Sequence, residues 1–162
     1  MKIEDLLRRD LIIENLEAAD REEALTKMCQ FLISRGYAKE SFTEAILHRE
    51  RVFPSGLPME GHKIAIPHTD AEHVEKSTIL FARLKTPLEF NTMGDPDQKI
   101  MVQMISMFAL KEKNQIGYIL EILINTYQEN ETLEAVLQAK DGDAIFKILW
   151  EAVGANMRET PE

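Results

Sequence analysis

The sequence predicts a single α/β domain, a mixed sheet with helices packed on both of its faces. Three observations carry that expectation. Short apolar runs suited to strands alternate along the chain with stretches of helical period. One run, Ile100–Leu110 (IMVQMISMFAL), is apolar almost throughout, as a central strand covered on both sides must be. A chain of 162 residues, 44% hydrophobic, suffices for one full core but not comfortably for two.

Taken in order, Leu11–Leu16 (LIIENL) is short, apolar and strand-like. Asp20 followed by Glu23 reads as a capping box that opens a helix. Leu25, Cys29 and Leu32 share its apolar stripe with Met28 beside them, and Gly36 is the stop signal. A second helix is expected from Lys39 to about Arg51, with Phe42, Ala45, Ile46 and Arg49 on one face. Pro54, Gly56 and Pro58 break it. Ile64–Ile66 and Thr78–Leu84 read as strands, Leu88–Phe90 as a further short one, and Gly94-Asp95-Pro96 as a turn. After the long apolar run the period becomes helical from Lys113, with Ile116, Ile119, Leu120, Leu123 and Tyr127 on one stripe. Thr132–Gln138 and Asp143–Ala152 complete the helices. The expected domain is 1–154, followed by a polar tail over 155–162.

A net charge of −9 argues against nucleic acid, which demands a basic footprint. No apolar run approaches the roughly 18 residues that cross a bilayer. The charged start, MKIEDLLRRD, lacks the apolar stretch of a secretion leader. The one cysteine, Cys29, excludes an internal disulfide and sits on an apolar stripe as a core residue. A cytoplasmic protein is expected. Met101, Met104 and Met107 in the long strand read as core filling.

Three of the four histidines, His62, His68 and His73, fall within twelve residues, with His48 upstream. No histidine pair has the i, i+4 spacing of a zincin helix, and no cysteine cluster exists, so no metal site is expected. No G-x-S-x-G elbow exists either, and Ser55 belongs to a Pro-Ser-Gly turn. His68 is the candidate nucleophile. A neutral imidazole attacks phosphoryl groups well near pH 7, and Pro67 ends strand pairing just before it. Thr69 adds a hydroxyl and a backbone N–H. Arg49 continues the Phe42–Ile46 stripe, so its guanidinium should emerge at the helix end, where its fork could hold two phosphoryl oxygens. On spacing alone a merely exposed His68 and an Arg49 paired with Glu50 stay open. His62 is either a supporting partner of His68 or a surface residue, and His73 reads as an exposed loop histidine. Phe53, Leu57 and Met59 are either an apolar docking rim or core residues.

The segment Arg49–His68, R-E-R-V-F-P-S-G-L-P-M-E-G-H-K-I-A-I-P-H, resembles a known signature. It is that of the mannitol/fructose-type (type 2) EIIA domains of the bacterial phosphoenolpyruvate-dependent sugar phosphotransferase system. That family shows Arg-Glu, a Ser/Thr-Gly-like turn, then a glycine and an apolar pair before Pro-His. The resemblance implies a mixed five-stranded sheet flanked by helices. It implies that His68 takes a phosphoryl group from phospho-HPr and passes it to a cysteine of a cognate EIIB, with Arg49 steadying the phosphohistidine. The chain would work with a membrane EIIC without inserting itself, and without metal or organic cofactor. One departure stands out. Members often carry a second histidine near the start of the helix after the long strand, and here Gln115 stands near that place. Glu60-Gly61-His62 ahead of Ile64–His68 resembles instead the galactitol-type branch. Two rivals remain at this level: a regulatory module of the same fold phosphorylated at His68, and a metal enzyme using His62, His68 and His73.

Overall fold

Strand β4 (Asp95–Ala109) runs through the middle of the sheet, with β3 (Thr78–Thr92) on one side and the two-residue β2 (Ile64–Ala65) on the other. β1 (Ile12–Leu16) lies beyond β3, so the order is β1-β3-β4-β2. The structure is a computed structural model describing residues 1–162. β3 and β4 pair antiparallel, while β1 pairs with β3 and β2 with β4 in parallel, which makes the sheet mixed. Gly94, at φ +81°, closes the β3–β4 hairpin in the left-handed region that an L side chain resists.

Each face of the sheet carries its own apolar layer. On one, α1 (Arg21–Ser34) and α2 (Phe42–Val52) set Leu25, Leu32, Phe42 and Ile46 against Leu80, Ala82, Ile105 and Met107. On the other, α3 (Ile116–Tyr127), α4 (Asn130–Gln138) and α5 (Gly142–Glu159) set Ile122, Leu123, Leu133 and Leu149 against Ile79, Phe81, Met104 and Phe108. Over Met104–Ala109 neither face of β4 meets water, which accounts for the near-continuous apolar stretch there.

The helix signals act in part as expected. Asp20 Oδ1 accepts from Glu23 N at 2.9 Å and caps α1. The returning Glu23 carboxylate takes Ala19 N rather than the N-cap amide. At the other end Tyr37 N donates to Leu32 O and Gly36 N to Ile33 O, the paired bonds of a glycine stop.

Four expectations change in detail. The sheet has four strands rather than five, because Thr78–Leu84 and Leu88–Phe90 are parts of one strand, β3. Its pairing with β4 shifts register between Arg83 and Leu88, and that irregularity accommodates Pro87, which has no N–H to donate. β4 begins at Asp95, within the expected turn. Met101 is exposed, not core, whereas Met104 and Met107 are fully buried. Finally, α5 continues through the buried Gly154 to Glu159, past Ala152, where the helix was expected to end. Ile3 Cδ1 packs so close over Gly154 that a Cβ there would meet it at 3.2 Å, and Met157 joins the second apolar layer.

Candidate active site at the end of the short strand

His68 stands just beyond the C-terminal end of β2. Phe108 N donates to Pro67 O at 3.2 Å, the last link between this segment and β4. Pro67 offers no N–H, so the ladder ends there and the chain turns out of the sheet. Two contacts then fix the imidazole. Its Nδ1–H donates to Ile66 O at 2.9 Å, a tautomer set by the carbonyl, which can only accept. Its ring also stacks on Phe108, with centroids 4.4 Å apart and planes 19° from parallel. Nε2 is left as the nitrogen with a free lone pair.

The surroundings favour the neutral ring. Burial holds the His68 pKa below its ordinary 6.5, the Arg49 charge pushes it the same way, and the Ile66 carbonyl and Asp70 oppose them. The outcome is an oriented and uncharged imidazole at pH 7.

Arg49 lies on the last turn of α2, where the helix dipole favours a cation. The helix stops there because Phe53, ahead of Pro54, is kept out of the helical region, at φ −128° and ψ 86°. The Arg49 guanidinium sits over the Phe53 ring, 4.8 Å from its centroid. Its Nε is buried and has no hydrogen-bond partner. It makes no ion pair with Glu50, the alternative that spacing left open. A buried, unpaired donor on a cation beside a neutral imidazole fits an anionic group that the chain itself does not supply.

Thr69 is buried and shares a cleft of ≈ 440 Å³ with Arg49, Asp70, His48 and His73. His68 adjoins this cleft through Thr69 and is not itself part of its lining. Val52 and Phe53 form an exposed apolar rim. Phe53 thus lies at the surface, whereas Leu57 is buried and Met59 packs on the second apolar layer.

His62 is not brought to His68. It precedes β2, on a level with Gln103, whose N–H donates to Lys63 O. Its Nδ1 lies 3.2 Å from Gln103 Oε1, and its Nε2 meets the Glu134 carboxylate. Gln103 and Phe108, the strand residues that the two histidines contact, are five positions and so roughly 17 Å apart along β4. His73 is held elsewhere again, with Nδ1 2.8 Å from Ser41 Oγ. The triad of a His62–His68–His73 metal enzyme therefore does not converge, and no grouping of His, Cys, Asp and Glu in the structure could hold a metal ion. Gln115 stands at the N-cap position of α3, its side chain makes no capping bond, and as an amide it carries no charge. Burial pushes the Cys29 thiol up to about 12, which leaves it an inert core residue.

Three features of the site escaped the sequence reading. Phe108 was one apolar residue among many in its strand. Glu50 and Ser55 stand in the quoted motif, yet nothing in their spacing shows that they bond to each other in the interior. His48 and His73 share the cleft with Arg49 because α2 and the turn after His68 pack side by side.

Comparison with known proteins agrees with this geometry. Residues 5–152 match the family model described as phosphoenolpyruvate-dependent sugar phosphotransferase system, EIIA 2. The chain is 28% identical over 118 residues to the galactitol-specific EIIA component of Escherichia coli (strain K12), covering 73% of this chain and 78% of that one. It is 26% identical over 148 residues to the mannitol-specific phosphotransferase enzyme IIA component of Staphylococcus aureus (strain N315), covering 91% and 97%. Its fold matches that of a chain in the complex of mannitol enzyme IIA with phosphorylated enzyme IIB from Escherichia coli. There the TM-score is 0.73 at 22% identity, with 90% of this chain and 97% of that one covered. The chain belongs to the type-2 EIIA family of the phosphoenolpyruvate-dependent sugar phosphotransferase system.

Proposed function

We propose that this protein is a cytoplasmic phosphocarrier in which His68 Nε2 takes a phosphoryl group from phospho-HPr and hands it to a cysteine of a cognate EIIB. The observation that carries this reading is the pairing of a half-tethered imidazole with an unpaired guanidinium nitrogen. Nδ1–H is held by Ile66 O, Nε2 is free, and Arg49 Nε is buried without a partner.

The chemistry follows from that arrangement. The Nε2 lone pair attacks phosphorus, the N–P bond of the donor breaks, and its electron pair returns to the donor imidazole. His68 keeps its Nδ1 proton, so the ring becomes cationic as the new N–P bond forms. The Ile66 carbonyl, already aligned on that N–H, stabilises the developing charge without reorganisation. Arg49, with Thr69 beside it, takes the phosphoryl oxygens. In the second transfer a thiolate attacks phosphorus, the N–P bond breaks, and its electrons return to Nε2.

The similarity to a galactitol-specific EIIA component, together with Glu60-Gly61-His62 before the short strand, supports a polyol as the transported substrate. The similarity in fold to a mannitol enzyme IIA seen with enzyme IIB supports an EIIB acceptor, and the similarity to a fructose-specific EIIABC component supports a membrane EIIC as the onward partner. The test uses phosphoenolpyruvate, enzyme I and HPr. One acid-labile phosphoryl group per chain is expected, with none on His68→Ala. Labelling that survives in His68→Ala overturns the assignment.

A further inference from the structure

Glu50 is a buried carboxylate that the proposed transfer does not use. It lies beside Arg49 on the last turn of α2 and is only 7% exposed, unusual for a glutamate with no cation bonded to it. Its Oε1 accepts from both Ser55 N, at 3.0 Å, and Ser55 Oγ, at 3.1 Å. Burial pushes its pKa up, and the two Ser55 bonds act against that rise. A carboxylate so placed costs stability unless its bonds do something for the fold.

What those bonds hold is the turn behind the active histidine. Ser55 O accepts from Ile66 N at 3.0 Å, and Ile66 O accepts from His68 Nδ1–H at 2.9 Å. The other side of the turn is closed, since a Cβ on Gly56 would lie 2.7 Å from Asn91 O and 2.9 Å from Ile100 Cδ1. One helical turn therefore carries both the cation that faces the phosphoryl group and the carboxylate that sets the loop behind the nucleophile. We propose that Glu50 is a positioning residue: through Ser55 and Ile66 it determines which nitrogen of His68 is free to react.

This inference rests on His68 being the phosphoryl acceptor, and the experiment separates the two. In the full chain, the ring nitrogens of unphosphorylated His68 are assigned by ¹⁵N NMR for wild type, Glu50→Ala, Glu50→Gln and Ser55→Ala. Phosphoryl acceptance from phospho-HPr and the site of phosphorylation, read by ³¹P NMR, are then measured on the same proteins. The wild type should show the Nδ1–H tautomer and Nε2-phosphohistidine. Glu50→Ala should show mixed tautomers, some Nδ1-phosphohistidine, and acceptance slowed roughly tenfold to a hundredfold, the cost of a displaced reactant.

Glu50→Gln keeps an acceptor for Ser55 and should restore the wild-type tautomer and a rate within about threefold. Ser55→Ala loses only the hydroxyl bond and should fall between, so it decides the matter if Glu50→Ala does not fold. Folded Glu50→Ala or Ser55→Ala with wild-type tautomer, regiochemistry and rate overturns the role, as does Glu50→Gln behaving like Glu50→Ala. A wild type that takes no phosphoryl group overturns the carrier reading instead, while the tautomer measurement still judges Glu50.

Discussion

His62 and His68 stand at opposite ends of the two-residue strand β2, and both are partly buried. Oxygens face both ring nitrogens of His62, one from Gln103 and one from Glu134. Asn130 Oδ1 also accepts from its backbone N–H at 2.8 Å. His68 has one nitrogen tied to Ile66 O, the other free, and its ring stacked on Phe108. The first ring ties the segment before β2 to α4, and the second is oriented with one nitrogen unbonded. What separates them is neither exposure nor distance along the chain but the number of ring nitrogens left uncommitted.

The comparison is tested hardest at His68 itself, where substitution by alanine should remove all transferable phosphate. Next comes Arg49. Arg49→Ala should slow acceptance from phospho-HPr by roughly 10²–10³, as loss of one preorganised donor to a developing anion does. Arg49→Lys keeps the charge but loses the fork, so its rate should lie between alanine and wild type. Single-turnover transfer from radiolabelled phospho-HPr measures all three. If Arg49→Ala stays within about threefold of wild type, the guanidinium is not the phosphoryl cradle.

A smaller effect is expected with pH. The His68 pKa in the fold lies below its ordinary 6.5. The ring's contribution to stability is therefore complete above pH 6.5 and is lost as pH falls through the lowered value. The same shift protects the nucleophile. At pH 6 an unperturbed imidazole has lost roughly three quarters of its neutral form, about a fourfold drop in rate. The wild-type protein should lose less than this, with its acidic limb matching an NMR titration of His68 centred below 6.5. A midpoint above 6.5 would show that Asp70 and the Ile66 carbonyl outweigh burial.

Fold class was legible because periodicity reports burial on one face or two, and the interleaving of strands and helices then leaves few architectures. The strand count was not, since Pro87 reads as a strand breaker, whereas here it occupies a shift in register that β3 simply runs through. His68 and Arg49 were legible through fixed residue types at fixed spacing. Phe108 was not, because its direction depends on a change of parity along β4. Ile100 and Val102 face the α1–α2 layer, but so do Ile105, Met107 and Ala109, which turns Phe108 toward the opposite layer. His62 stayed undecided for a simpler reason. Six residues of sequence look close, yet an extended segment lies between the two rings and carries them apart.

The smallest effect on transfer should come from His62, and it is where the comparison can most easily be broken. β2 does not depend on His62 for its place. It is paired with β4 at Ile64 and Ala65, anchored to the turn by Ile66 N on Ser55 O, and tied beyond its end by Phe108 N on Pro67 O. His62→Ala should therefore leave acceptance by His68 unchanged. Its cost should fall on stability, at about 1 kcal/mol, because the bonds to Gln103 and Glu134 are lost while the half-exposed Glu134 regains water. Gln103 Oε1 keeps the Lys63 N–H in either case, which limits the loss further. Chemical denaturation and single-turnover transfer on the same preparation separate the two readouts. A rate that falls tenfold with little change in stability would restore His62 as an assistant of His68, and would show that ring nitrogens bonded in the resting protein can be released for transfer.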